Sequence, residues 1–222
     1  GIKWGTVALA PAPQKYVVCN ADEGDSGTFA DRMLMEGDPF SLIEGMAICG
    51  LSVGATRGYA YIRSEYPDAI EVMREAIRVA RAHGLLGPAL LGQGPAFDME
   101  VRVGAGAYVC GEETSLLNSL EGRRGVVRAK PPLPAIEGLF GRPTVVNNVI
   151  SLATIPWIFA NGAGAYRDFG LGRSRGTIPL QIAGNVRNGG LYEIAFGLTL
   201  GEIVHDIGGG TASGRPVKAV QV

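Results

Sequence analysis

The chain has 222 residues, of which 46% are hydrophobic and 18% are charged, so it is long enough to bury a core. Its formal net charge is −1, and it has no basic stripe with interleaved aromatic residues, which argues against a nucleic-acid-binding protein. No apolar run approaches the roughly 18 residues that a membrane-spanning helix needs, so we expect no direct membrane insertion.

Three cysteines are scattered along the sequence, at Cys19, Cys49 and Cys110, without a C-x-x-C pair. Isolated thiols are typical of a reducing cytosol, and they provide neither a zinc site nor a four-cysteine iron–sulfur site. We therefore expect a cytoplasmic protein without a metal site in this chain. Cys110 is expected to pack as a small apolar residue.

The first predicted strand covers Lys15 to Ala21, an apolar run with β-branched residues that is typical of a buried parallel strand. The polar residues at its end are Asn20, Asp22, Glu23 and Asp25. Open α/β sheets bind ligands at the carboxyl ends of their strands, so this segment is a candidate site. The alternative is an Asn/Asp-rich turn, which the neighbouring glycines also favour.

Alternating helices and strands follow this segment. Asp38-Pro39 provides an N-cap and a first-turn proline for a helix. Gly58 to Arg63 alternates as a strand, and Pro67 opens a second helix that ends at Gly84. The order of strand, helix, strand, helix and strand predicts a wound α/β sheet.

A glycine-rich turn joins the next strand and helix. Met99 to Val103 alternates as a half-buried strand, and Thr114 to Glu121 has leucines at helical spacing. Free N–H groups and the helix dipole at such a turn favour a phosphate or an oxidised ring. However, the spacing Gly104-x-Gly106-x-x-x-x-Gly111 does not match the G-x-G-x-x-G turn of dinucleotide-binding proteins.

Two carboxylates, Glu112 and Glu113, stand where this helix begins. Their simplest role is a favourable interaction with the helix dipole. Because they would repel a phosphate, they suit a turn that faces a ring and its ribose. They would likewise repel any further phosphate close to that ribose.

A loop and a further strand follow. The loop from Gly122 to Pro134 contains cations that either hold a pyrophosphate or are simply solvated. These cations are Arg123, Arg124, Arg128 and Lys130. Pro143 to Val149 is a predicted strand, with a helix from about Ser151 to Ala160. Asn147 and Asn148 at this junction are of the type that caps helices and turns the chain.

The composition turns to glycine and arginine after Gly162, which indicates a domain boundary. We place the two domains at residues 1–175 and 176–222. The chain begins at Gly1 without an initiator Met and ends at Val222 in a predicted strand, so we expect both domains to be incomplete.

The predicted second domain contains a hairpin, a helix and a strand. Thr177 to Ala183 alternates as a strand, and Asn188-Gly189-Gly190 is a hairpin signal. Thr199 and Glu202 have the spacing of a capping box at a helix start. Val217 to Val222 is predicted as a strand. This sequence of elements outlines a β-grasp module.

One long block carries a family resemblance. Through G-A-G-A-Y-V-C-G-E-E-T-S-L-L-N-S-L-E-G-R-R-G and the following A-K-P-P-L-P, the chain resembles the flavoprotein subunit of respiratory complex I. It is equally similar to the diaphorase subunits of NAD-linked hydrogenases and formate dehydrogenases. The stretch D-E-G-D-S-G-T-F-A-D-R is closest to the formate dehydrogenase β subunit. The resemblance implies a Rossmann-like open-sheet FMN-binding domain followed by a β-grasp (ubiquitin-like) domain.

The resemblance also implies an NADH:FMN oxidoreductase, or diaphorase, that passes hydride between NAD(H) and FMN. One-electron transfer to iron–sulfur clusters of a larger complex would follow, in an NAD-dependent formate dehydrogenase or complex I. The partners would be iron–sulfur subunits, with a further cluster beyond Val222. The alternative is a non-catalytic assembly subunit that keeps the fold without flavin. A conventional NAD dehydrogenase is disfavoured by the glycine spacing and by the lack of a catalytic histidine constellation. Glu112 and Glu113 would repel the second phosphate of NADPH if they lie near the adenosine ribose, so we favour NADH over NADPH.

Hydride transfer between stacked rings needs no acid or base, so no catalytic residue in that sense is expected. In the family, Lys130 contacts NADH, Tyr108 and Glu113 would position the nicotinamide, and Glu112 would orient the flavin. Complex I members commonly carry an aromatic residue where Leu133 stands. The residues that the resemblance assigns to cofactor binding are Lys3, Asn20, Asp22, Glu23, Asp25, Tyr108, Gly111, Glu112, Glu113, Lys130, Asn147 and Asn148.

Overall fold

The computed structural model describes residues 1–222, and its central feature is a sheet of four parallel strands. The strands are β1 (Tyr16–Ala21), β2 (Arg57–Arg63), β3 (Asp98–Gly104) and β4 (Thr144–Asn148). Their spatial order is β3-β2-β1-β4, so the chain moves outward from β1 to β3 and then returns to the other side of β1. The carboxyl ends of β1 and β4 therefore form a topological switch point.

Six helices precede, connect or follow these strands, and they lie on both faces of the sheet. They are α1 (Ile2–Leu9), α2 (Ala30–Gly37), α3 (Pro39–Val53), α4 (Pro67–Ala82), α5 (Glu113–Leu120) and α6 (Val149–Asn161). The predicted helices α3 to α6 are confirmed, and Asp38 caps α3 by accepting a hydrogen bond from Ser41 N–H at 3.2 Å. Helices α1 and α2 were not predicted. No helix combines the length and the apolar character that crossing a bilayer requires.

Alternation along β1 separates two apolar cores. Val17 and Cys19 belong to the larger core, which includes side chains of α3, α4 and α6. Val18, between them, belongs to a smaller core with Tyr61 of β2 and Leu116 of α5. Because β1 is buried on both faces, its sequence is an apolar run rather than an apolar–polar alternation. The predicted α/β open sheet is confirmed.

The chain divides into two compact units, Gly1–Pro156 and Trp157–Val222. The predicted domain bounds, residues 1–175 and 176–222, stay a prediction. The elements of the second unit are α7 (Ala163–Arg167), β5 (Gly170–Leu171), β6 (Ser174–Arg175), β7 (Thr177–Ile182), β8 (Gly190–Ala195) and α8 (Leu200–Glu202), which continues as a π-helical turn at Ile203–Ile207.

Several predictions for the second unit are confirmed and one is wrong. Strands β7 and β8 form an antiparallel hairpin. Thr199 and Glu202 form both hydrogen bonds of a capping box. Residues Val217–Val222, however, form no strand, although a strand was predicted there. A strand exists only where a neighbour pairs with it, and these residues have no such neighbour. The β-grasp assignment stays a prediction.

Candidate functional site

The switch point brings two distant parts of the chain together. Asn20 of β1 lies beside Asn148 of β4 in the sheet register. The Asn20 amide donates a 2.8 Å hydrogen bond to the carbonyl oxygen of Gly111, which lies 91 residues later in the glycine-rich turn. The turn is thereby held over the strand ends, where open α/β sheets bind ligands.

Asp22 lies between the strand end and this turn, and we call the space in front of its carboxylate, beside Gly24 and Gly111, the Asp22 hollow. The residue is only 3% exposed. Its Oδ2 lies 3.4 Å from the point at which a side chain would begin on either Gly24 or Gly111, so a side chain at either position would occupy the space next to the carboxylate. Burial raises the pKa of Asp22, partly offset by the charge of Arg63, and no hydrogen bond to its carboxylate contributes. The hollow thus contains a hydrogen-bond acceptor without a donor from the chain.

Tyr108 forms the outer wall of the hollow. Its ring carbon Cδ2 lies 3.0 Å from the point at which a side chain would begin on Gly24. Its hydroxyl donates a 3.0 Å hydrogen bond to Asp25 Oδ1, although the residue is 73% exposed. The exposed aromatic ring of Tyr108 therefore lies at the entrance of the site, held in place by the Asp25 carboxylate of the β1–α2 loop.

The two carboxylates at the start of α5 are fully partnered. Glu112 is the N-cap of α5 and accepts hydrogen bonds from the N–H groups of Thr114 and Ser115, at 2.8 Å and 3.0 Å. Lys130 Nζ donates to Glu112 at 3.0 Å and to Glu113 at 2.9 Å. Burial alone would raise the pKa of Glu112, but a hydrogen bond from the Thr114 hydroxyl, together with those from the N–H groups and Lys130, lowers it to about 2.

Helix α1 adds a second lysine to this cluster. Lys3 Nζ donates to Glu113 Oε2 at 3.1 Å and to the carbonyl oxygen of Val146 at 2.8 Å. The neighbouring Trp4 Nε1 donates to Asn147 Oδ1 at 2.9 Å. The pKa of Glu113 is lowered because the two lysines outweigh its burial. Two lysine charges therefore balance two glutamate charges at the mouth of the site.

Glu23 and Asn148 are occupied by structural contacts. The Glu23 carboxylate accepts hydrogen bonds from Asp31 N–H at 2.9 Å and Arg32 N–H at 3.2 Å, and thereby caps α2. Asn148 Nδ2 donates to Asp31 Oδ2 at 2.6 Å, and Asn148 Oδ1 accepts from Ile150 N–H at 2.9 Å. The carboxylate of Glu23 is thus directed toward α2, whereas Asn148 is exposed and keeps one amide hydrogen free for a ligand.

Among the loop cations, Lys130 is the one that contacts the glutamates at the site. Arg128 is instead held by residues on either side of the loop, by Glu121 Oε2 at 3.0 Å, Asn118 Oδ1 at 2.7 Å and the Gly138 carbonyl at 3.1 Å. These bonds fix the conformation of the loop that presents Lys130. The side chains of Lys130 and Arg128 are therefore held by ion pairs within the protein and are not simply solvated.

Sequence reasoning missed one residue of this region, Asp31 in the first turn of α2. It is 4% exposed, and its carboxylate contacts Asn148 beneath the switch point. Burial and then the nearby Glu23 carboxylate raise the pKa of Asp31 to about 7, against the hydrogen bonds of Asn148 and Ile150. No signal in the sequence marks this aspartate, because α2 itself was not predicted.

The cysteines lie in the cores. Cys19, Cys49 and Cys110 are all free and buried. Cys110 packs beneath the glycine-rich turn with Leu116 and Leu117, as its sequence context predicted. No group of three or more His, Cys, Asp or Glu side chains is arranged to hold a metal ion.

Residues 1–157 match the family model described as the Nuo51 FMN-binding domain. The chain belongs to this family. The match covers the whole parallel sheet and every residue of the crevice described above. The resemblance to the complex I and NAD-linked hydrogenase family is thereby confirmed, and FMN is the cofactor that the family description names.

Curated relatives are similar over the whole chain. The NADP-reducing hydrogenase subunit HndC of Solidesulfovibrio fructosivorans is 52% identical over 221 residues, which are 100% of this chain and 45% of that protein. An NADH-quinone oxidoreductase subunit of Rhizobium meliloti is 49% identical over 220 residues, or 99% of this chain and 52% of that protein. The chain thus spans about half the length of these relatives.

Solved structures agree with the family assignment. The crystal structure of an NAD⁺-reducing NiFe hydrogenase in the air-oxidized state matches with a TM-score of 0.81 and 38% identity, covering 91% of this chain and 34% of that chain. The particular likeness to formate dehydrogenase, in contrast, stays a prediction.

Proposed function

We propose that this chain is the FMN- and NAD(H)-binding part of an NADH-oxidising redox complex. When bound, FMN accepts a hydride from NADH and releases electrons one at a time. The observation that carries the proposal is the Asp22 hollow at the β1/β4 switch point. It combines a buried, donor-free carboxylate with two glycines that leave the space in front of it open.

The residues of the hollow fit the chemistry of FMN. The ribityl chain of FMN has hydroxyl groups, and Asp22 offers them an acceptor that no group of the protein uses. Asn20 and Asn148 add amides beside it at the ends of adjacent strands. The exposed ring of Tyr108 provides an aromatic face for a flat ring system. The hydrogen-bonding groups of these residues therefore match a polyol chain, and the exposed aromatic face matches a flat ring.

The lysine–glutamate cluster fits the nicotinamide nucleotide. We assign Lys130 to NADH, Tyr108 and Glu113 to positioning the nicotinamide, and Glu112 to orienting the flavin. Lys130 holds both glutamates and so fixes their rotamers before a ligand binds. The reaction needs close ring stacking and exclusion of water rather than a protein acid or base, so none of these residues is assigned proton transfer.

Lysine pairing changes the expectation for NADPH. The preference for NADH rests on repulsion of a second phosphate by Glu112 and Glu113. Each glutamate has a lysine within 3.1 Å, so this repulsion is partly neutralised. The relative named as an NADP-reducing hydrogenase subunit is 52% identical. We keep NADH as the proposed substrate, and both nucleotides belong in the assay.

We further propose iron–sulfur subunits as the partners, in a formate dehydrogenase, a hydrogenase or complex I. The relatives support an assembly of this kind, since they are named as subunits of a hydrogenase and of NADH-quinone oxidoreductase. A cytoplasmic location is proposed from the three free cysteines, which suit a reducing compartment.

Flavin spectroscopy of the full-length protein tests the proposal. The protein is incubated with FMN, freed of excess flavin and mixed anaerobically with NADH or NADPH. We expect retained flavin absorbance that bleaches on adding NADH. Asp22→Ala should lose the flavin, whereas the matched change Asp206→Ala, at an exposed aspartate of the second unit, should not. A wild-type protein that stays colourless after incubation would instead support the assembly role.

A further inference from the structure

One buried ionisable group near the switch point has no part in the proposed function. Asp31 belongs to α2, yet its carboxylate reaches across to the junction of β4 and α6. There Asp31 Oδ2 accepts a 2.6 Å hydrogen bond from Asn148 Nδ2. The backbone N–H of Ile150 in the first turn of α6 donates to Asn148 Oδ1 and also lowers the pKa of the Asp31 carboxylate. Asp31 therefore joins two crossover segments at the place where the site is proposed to bind flavin.

The ionised carboxylate determines which way the Asn148 amide points. An ionised carboxylate can only accept hydrogen bonds, so the Nδ2 end of Asn148 must face Asp31. The Oδ1 end then accepts Ile150 N–H at 2.9 Å. This orientation leaves the second Nδ2 hydrogen of the exposed Asn148 side chain available at the crevice. A protonated Asp31 accepts a hydrogen bond more weakly than the carboxylate does, so the Asn148 amide would then be held mainly by Ile150 N–H.

We propose that Asp31 is a positioning residue, whose ionised carboxylate fixes the Asn148 amide so that it presents an N–H to the flavin. The residue does not touch the ligand in this role and acts through Asn148. The ligand named here rests on the proposed function, whereas the link between Asp31 and Asn148 rests on the hydrogen bonds alone.

The groups around Asp31 explain why this link is sensitive to pH. Glu23 lies at its backbone N–H, and the Glu23 carboxylate also accepts the Tyr66 hydroxyl at 3.0 Å. Cys19 of β1 is close enough for the aspartate charge to raise its pKa, after burial. Arg63 is directed to the carbonyl of Glu23 rather than to Asp31. Asp31 thus faces a carboxylate and a thiol and no cation, and its pKa rises to about 7.

The raised pKa of Asp31 determines how FMN binding should change with pH. Below about pH 7 Asp31 is protonated and holds the Asn148 amide less firmly, whereas above it the charge-assisted hydrogen bond fixes the amide. We expect FMN to bind about tenfold more tightly on the alkaline side, the value of one well-placed hydrogen bond. A neutral amide accepts a hydrogen bond more weakly than a carboxylate does, so Asp31→Asn should bind at the weaker level throughout.

Flavin titrations of the full-length protein between about pH 6 and pH 8.5 test the binding effect. The proteins are the wild type, D31N, N148A, the double variant and the control D206N. The phosphate of FMN itself titrates near pH 6, but it does so in every sample and cancels in the ratio to D31N. We expect wild type and D206N to show the tenfold rise, and D31N to have no effect in the N148A background. Equal pH profiles for wild type and D31N, or additive losses in the double variant, would overturn the proposal.

A second measurement does not depend on flavin binding. In flavin-free protein, the side-chain amide resonance of Asn148 is assigned by its loss in N148A. It should shift with a midpoint near pH 7 in the wild type and stay constant in D31N. A wild-type resonance that ignores pH would refute the link even if D31N fails to fold. Should the protein bind no FMN at any pH, the proposed function fails, while the amide titration still decides the role of Asp31.

Discussion

Carboxylates lie on both sides of the crevice, and the two sides influence them in opposite ways. At the strand ends, burial dominates and raises the pKa of Asp22 and Asp31. At the start of α5, hydrogen bonds and lysines outweigh burial and lower the pKa of Glu112 and Glu113. An ionised carboxylate therefore destabilises the folded protein at the strand ends and stabilises it at the start of α5.

The difference separates carboxylates whose hydrogen bonds the chain itself satisfies from a carboxylate that is left for the proposed ligand. Glu112 and Glu113 are satisfied by the chain itself, through the α5 N-terminus, Lys130 and Lys3. Asp22 is satisfied by no group of the chain. A carboxylate kept buried without a donor weakens the folded state, and such groups are typical of binding sites. Substitutions on the two sides should therefore have opposite effects on stability.

The largest expected effect is at Glu112. Glu112→Ala removes the N-cap of α5 and one partner of Lys130, and should lower the free energy of unfolding by about 2 kcal/mol at neutral pH. The stabilisation is present above the usual glutamate pKa and is lost as pH falls toward about 2, the folded value. Urea denaturation of both proteins from neutral to acidic pH measures this difference.

Glu75→Ala is the matched control for this change. Glu75 lies on the exposed face of α4 and pairs with Arg78 alone. We expect little change in its urea midpoint, since isolated surface ion pairs contribute little. If the two variants lose the same amount of stability against urea, the N-cap at Glu112 contributes no more than an isolated surface ion pair.

Asp22→Asn should have the opposite sign. The folded-state pKa of Asp22 is raised, so wild-type stability is highest below the usual aspartate pKa and falls as pH rises through the folded value. The neutral asparagine avoids this loss and should stabilise the flavin-free protein by about 1 kcal/mol at alkaline pH. Thermal melts at several pH values measure the gap, which should close near pH 4. A variant less stable than wild type at every pH would contradict the donor-free environment of Asp22.

Local patterns in the sequence account for the sheet and for most of the site. The apolar run ending at Asn20, the glycine-rich turn at Gly111 and the Asn147-Asn148 pair were each recognisable as strand ends or turns. The rule that parallel strands bind ligands at their carboxyl ends then predicted that they meet. The 2.8 Å bond between Asn20 and Gly111 confirms this meeting.

What could not be predicted depends on contacts between distant residues. Helix α2 is capped by Glu23, which stands eight residues before Asp31. Capping rules search for a residue immediately before the first turn, so this cap has no local signature. The burial of Asp31 against Asn148, 117 residues away, is likewise visible only in the fold. Residues Val217–Val222 were wrongly predicted as a strand, because a local sequence pattern does not show whether a partner strand is present.

Lys130→Met should have a smaller effect than the change at Glu112. Lys130 Nζ contacts both glutamates, and its loss removes a charge that lowers the pKa of each. Because the side chain of Lys130 is 34% exposed, we expect a loss of only about 0.5–1 kcal/mol. The pKa of both glutamates should rise toward ordinary values, measured by NMR titration of their carboxyl carbons. The KM for NADH should rise as well, and an unchanged KM would separate Lys130 from nucleotide binding.

The smallest effect is expected for Lys3→Met. Lys3 contacts only one of the glutamates, at 3.1 Å, and its side chain is 43% exposed. Its bond to the Val146 carbonyl adds a neutral partner, so the total loss should be about 0.5 kcal/mol. The ionic share should vanish between about 0.1 M and 1 M salt, because the Debye length falls from about 10 Å to 3 Å. Urea denaturation at both salt concentrations measures it. If Lys3→Met instead costs more than Lys130→Met at both concentrations, then the attachment of α1 to β4, not charge balance at Glu113, is the main role of this lysine.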